Sequence, residues 1–177
     1  VKSSIGIGSE FWFEIPFEPA TTKSEEVSKD DLSGLRVLVA SASENYRKIC
    51  RTYLSYWKAE VETIEDITEC ERRFLESHKT SKPLDIIVIP DAHDPKMIAE
   101  IRNTFIEHDL MPFPRFVIGE NPQHRSSILD AIEEVTLMDV DPMRRTGLIT
   151  AVAVAAGRMS PEIRIEIEIE DVKKIQA

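Results

Sequence analysis

The sequence predicts an α/β fold, a flavodoxin-like, doubly wound five-stranded parallel sheet with strand order 2-1-3-4-5 and extra terminal β segments. Two observations predict it. Between residues 34 and 159, short apolar runs alternate with segments whose apolar residues recur every three or four positions. One run, Ile86-Ile87-Val88-Ile89, is β-branched throughout, as in a strand buried on both faces. Strands that alternate with helices in this way form parallel sheets that helices cover on both sides.

Each predicted helix also carries a local start signal or a typical composition. The first begins after Ser43, whose hydroxyl can cap it. A later helix begins at Pro95, since proline favours the first turn. The last helix is rich in alanine. In chain order, the predicted elements are strand 35–40, the helix after Ser43, strand 61–64, helix 67–78, strand 86–89, helix 95–109, strand 115–118, helix 123–133, strand 135–140 and helix 146–158.

Both ends of the chain differ from this main domain. Aromatic and aliphatic residues from Phe11 to Phe17 occur at every second position, and residues 163–169 alternate isoleucine with charged residues, so each segment predicts a strand. Residues 18–33 are polar and lack apolar periodicity, which is typical of a linker. The predicted segments are therefore 1–17, 18–33, 34–159 and 160–177. Because an unpaired strand edge attracts another strand, we expect a terminal strand to pair with the other one or to form a homodimer contact.

Composition and charge exclude several classes of function. The formal net charge of −10 argues against nucleic acid and anionic membranes as partners. No apolar run approaches the ~20 residues that a membrane helix needs, and no signal peptide is evident. The two cysteines, Cys50 and Cys70, are not spaced as a metal or redox pair and predict buried free thiols in a reducing cytoplasm.

Two stretches of the chain resemble parts of hybrid sensor histidine kinases, in the same order. The string Ser4-x-Gly6-x-Gly8-Ser9-x-Phe11-Trp12-Phe13-x-x-Pro16 resembles the closing motif of the ATP-binding lobe. The main domain resembles a response-regulator receiver, which follows that lobe in hybrid kinases. The receiver likeness rests on Arg36-Val37-Leu38-Val39-Ala40, on Arg47-x-Ile49 through Leu54-x-x-Trp57, and on Asp141-Pro142-Met143-Arg144-Arg145-Thr146-x-Leu148.

The residues at the positions of a receiver's phosphorylation site depart from the family pattern. A working receiver holds Mg²⁺ with two carboxylates after its first strand, because the phosphoryl group and the phosphoacceptor carboxylate otherwise repel each other. Here Ser41 and Ala42 stand in place of the two metal-binding carboxylates, and Pro90 stands in place of the phosphoacceptor aspartate, with Asp91 one residue later. Gly119 replaces the hydroxyl residue at the end of the fourth strand, and Asp141 replaces the lysine that pairs with the phosphoryl group. Met138 replaces the aromatic residue of the fifth strand that takes part in the usual switch. Since these parts act as one unit, their joint loss predicts a pseudo-receiver that is not phosphorylated.

The predicted function is thus a non-enzymatic regulatory and interaction module of a bacterial hybrid histidine kinase. The resemblance implies no cofactor, loss of Mg²⁺ binding, and partners among the other domains of the kinase or a partner signalling protein. The expected partner face is the fourth helix, fifth strand and last helix, about 123–158. We expect a cytoplasmic location, with a parent kinase that can be anchored in the inner membrane.

Two other functions stay open at this point. Asp91 could serve as an atypical phosphoacceptor if the third strand shifted by one residue, although this shift would turn its buried side chains around. Alternatively, Arg144 and Arg145 could bind a phosphate-bearing ligand in a nucleotide-sensing domain, because arginine contacts phosphate through two parallel hydrogen bonds.

A metal site is not expected. The Asp91-x-His93-Asp94 string contains metal-ligating residue types, but a turn in which Asp94 caps the next helix accounts for it. Asp91 could gather with Glu120, Asp139 and Asp141 at the strand ends and hold a cation loosely, which a Ca²⁺ or Mg²⁺ titration would reveal.

Overall fold

The structure, a computed structural model, describes residues 2–4, 8–14, 16, 32–92, 94–120 and 135–160. Its strands within these ranges are β1 (Lys2–Ser4), β2 (Gly8–Glu10), β3 (Arg36–Ala40), β4 (Glu60–Ile64), β5 (Ile86–Ile89), β6 (Arg115–Glu120) and β7 (Val135–Asp139). Strands β3 to β7 form one parallel sheet in the order β4-β3-β5-β6-β7. Counted along the chain, these five strands have the order 2-1-3-4-5, so the predicted fold class is confirmed.

Two of the described α-helices begin directly after residues whose side chains cap them. They are α1 (Glu44–Tyr56), a 3₁₀ turn (Ile67–Glu69), α2 (Cys70–Lys79), α3 (Pro95–Glu107) and α4 (Arg145–Ala155). The Ser43 hydroxyl accepts a hydrogen bond from the Tyr46 amide at the start of α1. Asp94 accepts from the Lys96 amide at the start of α3. The predicted helix over 67–78 therefore begins as a 3₁₀ turn and becomes α-helical only at Cys70.

Two apolar clusters lie on opposite faces of the sheet. Ile86 and Val88 pack with residues of α1 and α4, whereas Ile87 and Ile89 pack with residues of α2 and α3. This division follows from the period of two along a strand. Because helices cover both faces, the carboxyl ends of the strands are the place where polar residues can gather into a site.

The ends of the main domain lie close to each other. The Arg158 guanidinium donates to the Ser33 carbonyl at 3.0 Å. Leu32 is fully buried in the cluster with α1 and α4, although the sequence analysis assigns it to the linker. Residues 148–153 of α4 are all buried, so this stretch of the helix offers no free surface.

The predicted strand from Phe11 to Phe17 is wrong in its described part. Strands form just before it, where Lys2–Ser4 pairs antiparallel with Gly8–Glu10. Gly8 has a φ of +116°, a conformation that glycine adopts without steric cost. Residues 11–14 pair with no described strand, and their aromatic side chains are exposed. Alternation alone does not make a strand when no partner supplies the hydrogen bonds.

Some predicted elements lie outside the described residues. These are the helix over 123–133, the strand over 163–169 and almost all of the linker. Among the helices that the structure describes, none is long and apolar enough to span a bilayer.

Candidate functional site

The carboxyl ends of β3, β5 and β6 meet at one edge of the sheet. β3 pairs in parallel with β5, and β5 pairs with β6 as far as Ile89 beside Ile118. The residues at the carboxyl ends of these three strands therefore become neighbours. We call this place the carboxyl edge and define it by Ser41, Ala42, Pro90, Asp91 and Gly119. Five of the residues predicted from the sequence as positions of the degenerate phosphorylation site are therefore brought together.

Ser41 is the polar centre of the carboxyl edge. It is only 3% exposed. Its hydroxyl donates to Oδ2 of Asp91 at 2.8 Å and accepts from the Ser43 amide at 3.1 Å. Its own amide donates to the Ile64 carbonyl at 3.1 Å. Ser41 thus uses its hydrogen-bonding capacity within the protein, and Ala42 beside it contributes only an exposed methyl group.

Asp91 reaches Ser41 through a turn that follows β5. In a continued strand, Asp91 would share the face of Ile89, towards α2 and α3. Residues 90 and 91 instead form a turn, and the carboxylate lies beside Ser41 and close enough to Cys50 of α1 to affect its titration. The sequence predicts that Asp91 could reach the site only if β5 shifted by one residue. This prediction is wrong, because the turn brings Asp91 to Ser41 without a shift in register.

Gly119 is held against the backbone of Pro90. A Cβ atom built on Gly119 would lie 2.0 Å from the Pro90 carbonyl oxygen and 2.5 Å from Cγ1 of Val140. Real Cβ atoms essentially never come within 3.0 Å of such neighbours. The space beside β6 at this edge is therefore filled by the main chain, and only glycine fits there without a rearrangement.

Asp141, Arg144 and Arg145 form a separate, exposed group after β7. Asp141 lies in a turn that an antiparallel bridge between Val140 and Met143 closes. Arg144 is the N-cap residue of α4 and makes no side-chain capping bond, and Arg145 is the first residue of the helix. Both arginines face solvent, where they are accessible to a ligand or a partner.

Arg47 contacts the carboxyl edge, although no site role is predicted for it from the sequence. Its Nη1 donates to the carbonyls of Ser41 and Ala42, at 2.5 and 3.0 Å, and its Nη2 lies 3.9 Å from a carboxylate oxygen of Glu65. The guanidinium therefore holds the loop between β3 and α1. Its position in the first turns of α1, soon after the Ser43 cap, is the sequence signal that could have identified it.

Neither cysteine is available as a nucleophile. Both are free and fully buried. Burial raises the pKa of Cys50 to about 12, and the nearby Asp91 charge adds to the shift. Burial likewise raises the pKa of Cys70 to about 12, with smaller contributions from Asp66 and Glu69. A thiol with such a pKa stays protonated at neutral pH, so nucleophilic chemistry at these residues is not supported.

Within the described ranges, no three or more His, Cys, Asp or Glu side chains are close enough to hold a metal ion together. The possible gathering of Asp91 with Glu120, Asp139 and Asp141 therefore does not occur as a cluster in this structure. His93 lies outside the described residues.

Comparisons with known proteins bear on the fold. No protein-family model matches the chain, and no curated sequence matches it significantly. The receiver domain of the histidine kinase CKI1 from Arabidopsis thaliana, solved with Mg²⁺ and BeF₃⁻, is 18% identical with a TM-score of 0.52, over 72% of this chain and 97% of that chain. A receiver domain protein from Clostridium thermocellum is 20% identical with a TM-score of 0.52, over 70% and 95% of the two chains. One from Bacillus halodurans is 14% identical with a TM-score of 0.51, over 68% and 96%.

At these identities the likeness concerns the fold. The matches cover nearly the full length of the compared receiver domains, and the strand order agrees with the doubly wound architecture. This chain therefore has the fold of response-regulator receiver domains.

Proposed function

We propose that this chain is a receiver-like regulatory module of two-component signalling that acts without being phosphorylated. It belongs to a hybrid sensor histidine kinase, in which residues 1–17 close the ATP-binding lobe and residues 34–159 form the pseudo-receiver. Its task is to contact other domains of the same kinase or a partner signalling protein. A docked partner or a bound ligand, in place of a phosphoryl group, biases one arrangement of the domains.

The observation that carries this proposal is the filled space at Gly119. In a phosphorylated receiver, as the resemblance implies, a hydroxyl side chain at this position contacts the phosphoryl group. Here the Pro90 carbonyl lies where even a Cβ atom would be, so a hydroxyl side chain has no room. The backbone of Pro90, at the position that matches the phosphoacceptor, thus occupies the space that the hydroxyl side chain of a phosphorylated receiver would need.

The side chains at and near the carboxyl edge also support a function without phosphorylation. The residues present do not suit Mg²⁺, because Ser41 offers a hydroxyl that is already hydrogen-bonded, Ala42 offers nothing, and Asp91 supplies the single carboxylate. Asp141 stands where a lysine would attract a phosphoryl group and repels one instead. The two metal-binding carboxylates, the nucleophile and the cationic partner are therefore all replaced at the matched positions.

Phosphorylation can be tested directly. We expect no adduct of one phosphoryl group, measured by intact mass, after incubation with a small phosphodonor and Mg²⁺. BeF₃⁻ with Mg²⁺ should likewise leave the thermal stability unchanged, with the Arabidopsis CKI1 receiver domain as the control that binds both. A stoichiometric adduct that disappears in Asp91→Asn would overturn the proposal and favour the atypical phosphoacceptor.

The partner face can be narrowed from the described residues. The middle of α4 is buried, so the exposed side chains between the end of β7 and the first turn of α4 are those of Asp139, Asp141, Pro142, Arg144, Arg145 and Thr146. We expect Arg144→Glu with Arg145→Glu to weaken docking to the rest of the kinase while the fold is retained. In the parent kinase, deletion of residues 34–159 is expected to change autophosphorylation, and an unchanged rate would contradict a regulatory role.

A nucleotide-sensing function at Arg144 and Arg145 is the second candidate. Its support is that both guanidinium groups are exposed at the beginning of α4, where a phosphate would also meet the positive end of the helix dipole. Thermal shift with mononucleotides and cyclic dinucleotides tests it. Absence of any stabilisation, or stabilisation that persists in Arg144→Gln/Arg145→Gln, would dismiss this site.

Pairing through the chain ends is a further proposal. Phe11, Trp12 and Phe13 are exposed directly after β2, and such a group of exposed aromatic side chains is a surface that another strand or chain can cover. Light scattering after size exclusion should report a dimer that serine substitutions of the three aromatics weaken. A monomer at all protein concentrations, with both ends accessible to protease, would refute it.

A further inference from the structure

We infer that a groove between α1 and β4 binds a small ligand that carries two or more phosphate groups. The inference goes beyond the proposed function, because it requires neither a kinase context nor a particular state of the carboxyl edge. We call this place the α1 groove. It has a volume of about 350 Å³ and is lined by Glu44, Arg47, Lys48, Arg51, Thr52 and Thr63.

The α1 groove is positively charged on an acidic protein. It contains three cationic side chains, whereas the whole chain has a formal net charge of −10. Opposing them are Glu44 in the lining and Glu65, which lies 3.9 Å from Arg47. Among the residues that the structure describes, no carboxylate pairs with Lys48 or Arg51. A groove whose positive charges are not neutralised by nearby carboxylates raises the local concentration of small anions.

Two guanidinium groups in the groove are held in place before any ligand arrives. Arg47 is fixed by two carbonyl acceptors of the loop after β3. Arg51 donates from Nη2 to Oγ1 of Thr63 at 2.7 Å, and the Thr63 hydroxyl keeps its own proton to donate. Each guanidinium has five N–H donors, so donors remain for a ligand. Side chains that are already ordered lose less conformational entropy on binding.

The chemistry of these donors favours phosphate groups, and more than one of them. Arginine forks bind phosphate through two parallel hydrogen bonds, and a lysine ammonium adds a point charge. A single phosphate would engage one fork, whereas a diphosphate can engage both arginines and Lys48. The groove volume lies at the lower end of the ~300–1,000 Å³ typical of small-molecule sites. A long nucleic acid is disfavoured because the net charge of the chain repels its backbone.

The test is titration of the whole chain with sodium pyrophosphate at constant ionic strength, followed by amide chemical shifts. We expect saturable changes at residues 44–52 and at Thr63, and weaker binding of inorganic phosphate. ADP distinguishes the source of the diphosphate: equal affinity indicates recognition of the diphosphate alone, and tighter binding indicates a nucleotide. No saturable change at millimolar pyrophosphate would overturn the inference.

Matched variants distinguish binding in the α1 groove from a general effect of positive charge on the chain. Arg51→Gln should weaken pyrophosphate binding at least about tenfold, since a hydrogen bond to a charged group is lost. Lys48→Gln should weaken it as well, and Arg51→Lys should restore part of the affinity because the charge is kept. Lys79→Gln/Lys96→Gln, which removes two exposed cations outside the groove, is the control and should leave the affinity unchanged. Equal losses in the control, or none in Arg51→Gln and Lys48→Gln, would refute the site. All these side chains are exposed, so folding should be retained.

Discussion

Among the described glycines, Gly119 has the closest neighbours, and its replacement by alanine tests how tightly they are held. The added Cβ would lie 2.0 Å from the Pro90 carbonyl oxygen, about 1 Å inside the closest distance that such contacts reach. The obstructing atom belongs to the backbone between β5 and the turn that positions Asp91, so it cannot rotate away. Cγ1 of Val140, at 2.5 Å, blocks the other direction. Adding a methyl group to a well-packed site typically costs about 1–3 kcal/mol, and we expect a loss in the upper part of this range, about 2–3 kcal/mol in the free energy of unfolding.

Urea denaturation measures this loss. With a slope of about 1–3 kcal/mol/M, the midpoint of Gly119→Ala should fall by about 1 M. Gly119→Ser, which installs the hydroxyl of the family pattern, should be at least as unstable and should not restore phosphorylation. The matched control is Gly147→Ala in α4, where the nearest atom to the new Cβ is 3.9 Å away. There alanine should stabilise by up to about 1 kcal/mol, because it favours the helix over glycine.

A midpoint for Gly119→Ala within experimental error of the parent chain, alongside a stabilised Gly147→Ala, would refute the reasoning. It would mean that the edge of the sheet relaxes freely around residue 119. The space beside Gly119 would then be available to a side chain, and the observation that carries the proposed function would be lost.

Three further predictions concern the carboxyl edge and the buried thiols. Ser41→Ala should lower the free energy of unfolding by about 1–2 kcal/mol, because it removes the hydrogen bonds of the Ser41 hydroxyl to the Asp91 carboxylate and the Ser43 amide. An unchanged urea midpoint would show that these bonds contribute nothing to stability. Since burial raises the pKa of Cys50 and Cys70 to about 12, the unfolded chain loses these protons first, so stability should fall as the pH rises from about 9 towards 12. Cys50→Ala/Cys70→Ala should make that fall shallower, and an identical slope would contradict the assignment. Both thiols should also resist Ellman's reagent at pH 8 until urea is added, and rapid labelling of the native chain would show that they are accessible.

The sequence by itself determined the fold class of this protein. The β-branched run before Pro90 and the alternation of strands with amphipathic helices lead to one doubly wound arrangement, because a parallel sheet needs cover on both faces. Local capping chemistry placed the starts of two helices at Ser43 and Asp94, since these side chains act on amides only two or three residues away. The identities at Ser41 and Ala42 were likewise readable without coordinates.

What the tertiary structure decided depends on neighbours that are distant in sequence. The register of β5 against β6 brings the Pro90 carbonyl to Gly119, and a main-chain oxygen leaves no trace in a pattern of side chains. The turn after β5 directs Asp91 to Ser41, fifty residues away, although the period of a strand predicts the opposite face. Strand pairing, which alternation cannot supply, decides that Lys2–Ser4 and Gly8–Glu10 form strands and that the aromatic segment does not. These contacts are cooperative and non-local, so they exist only once the sheet has assembled.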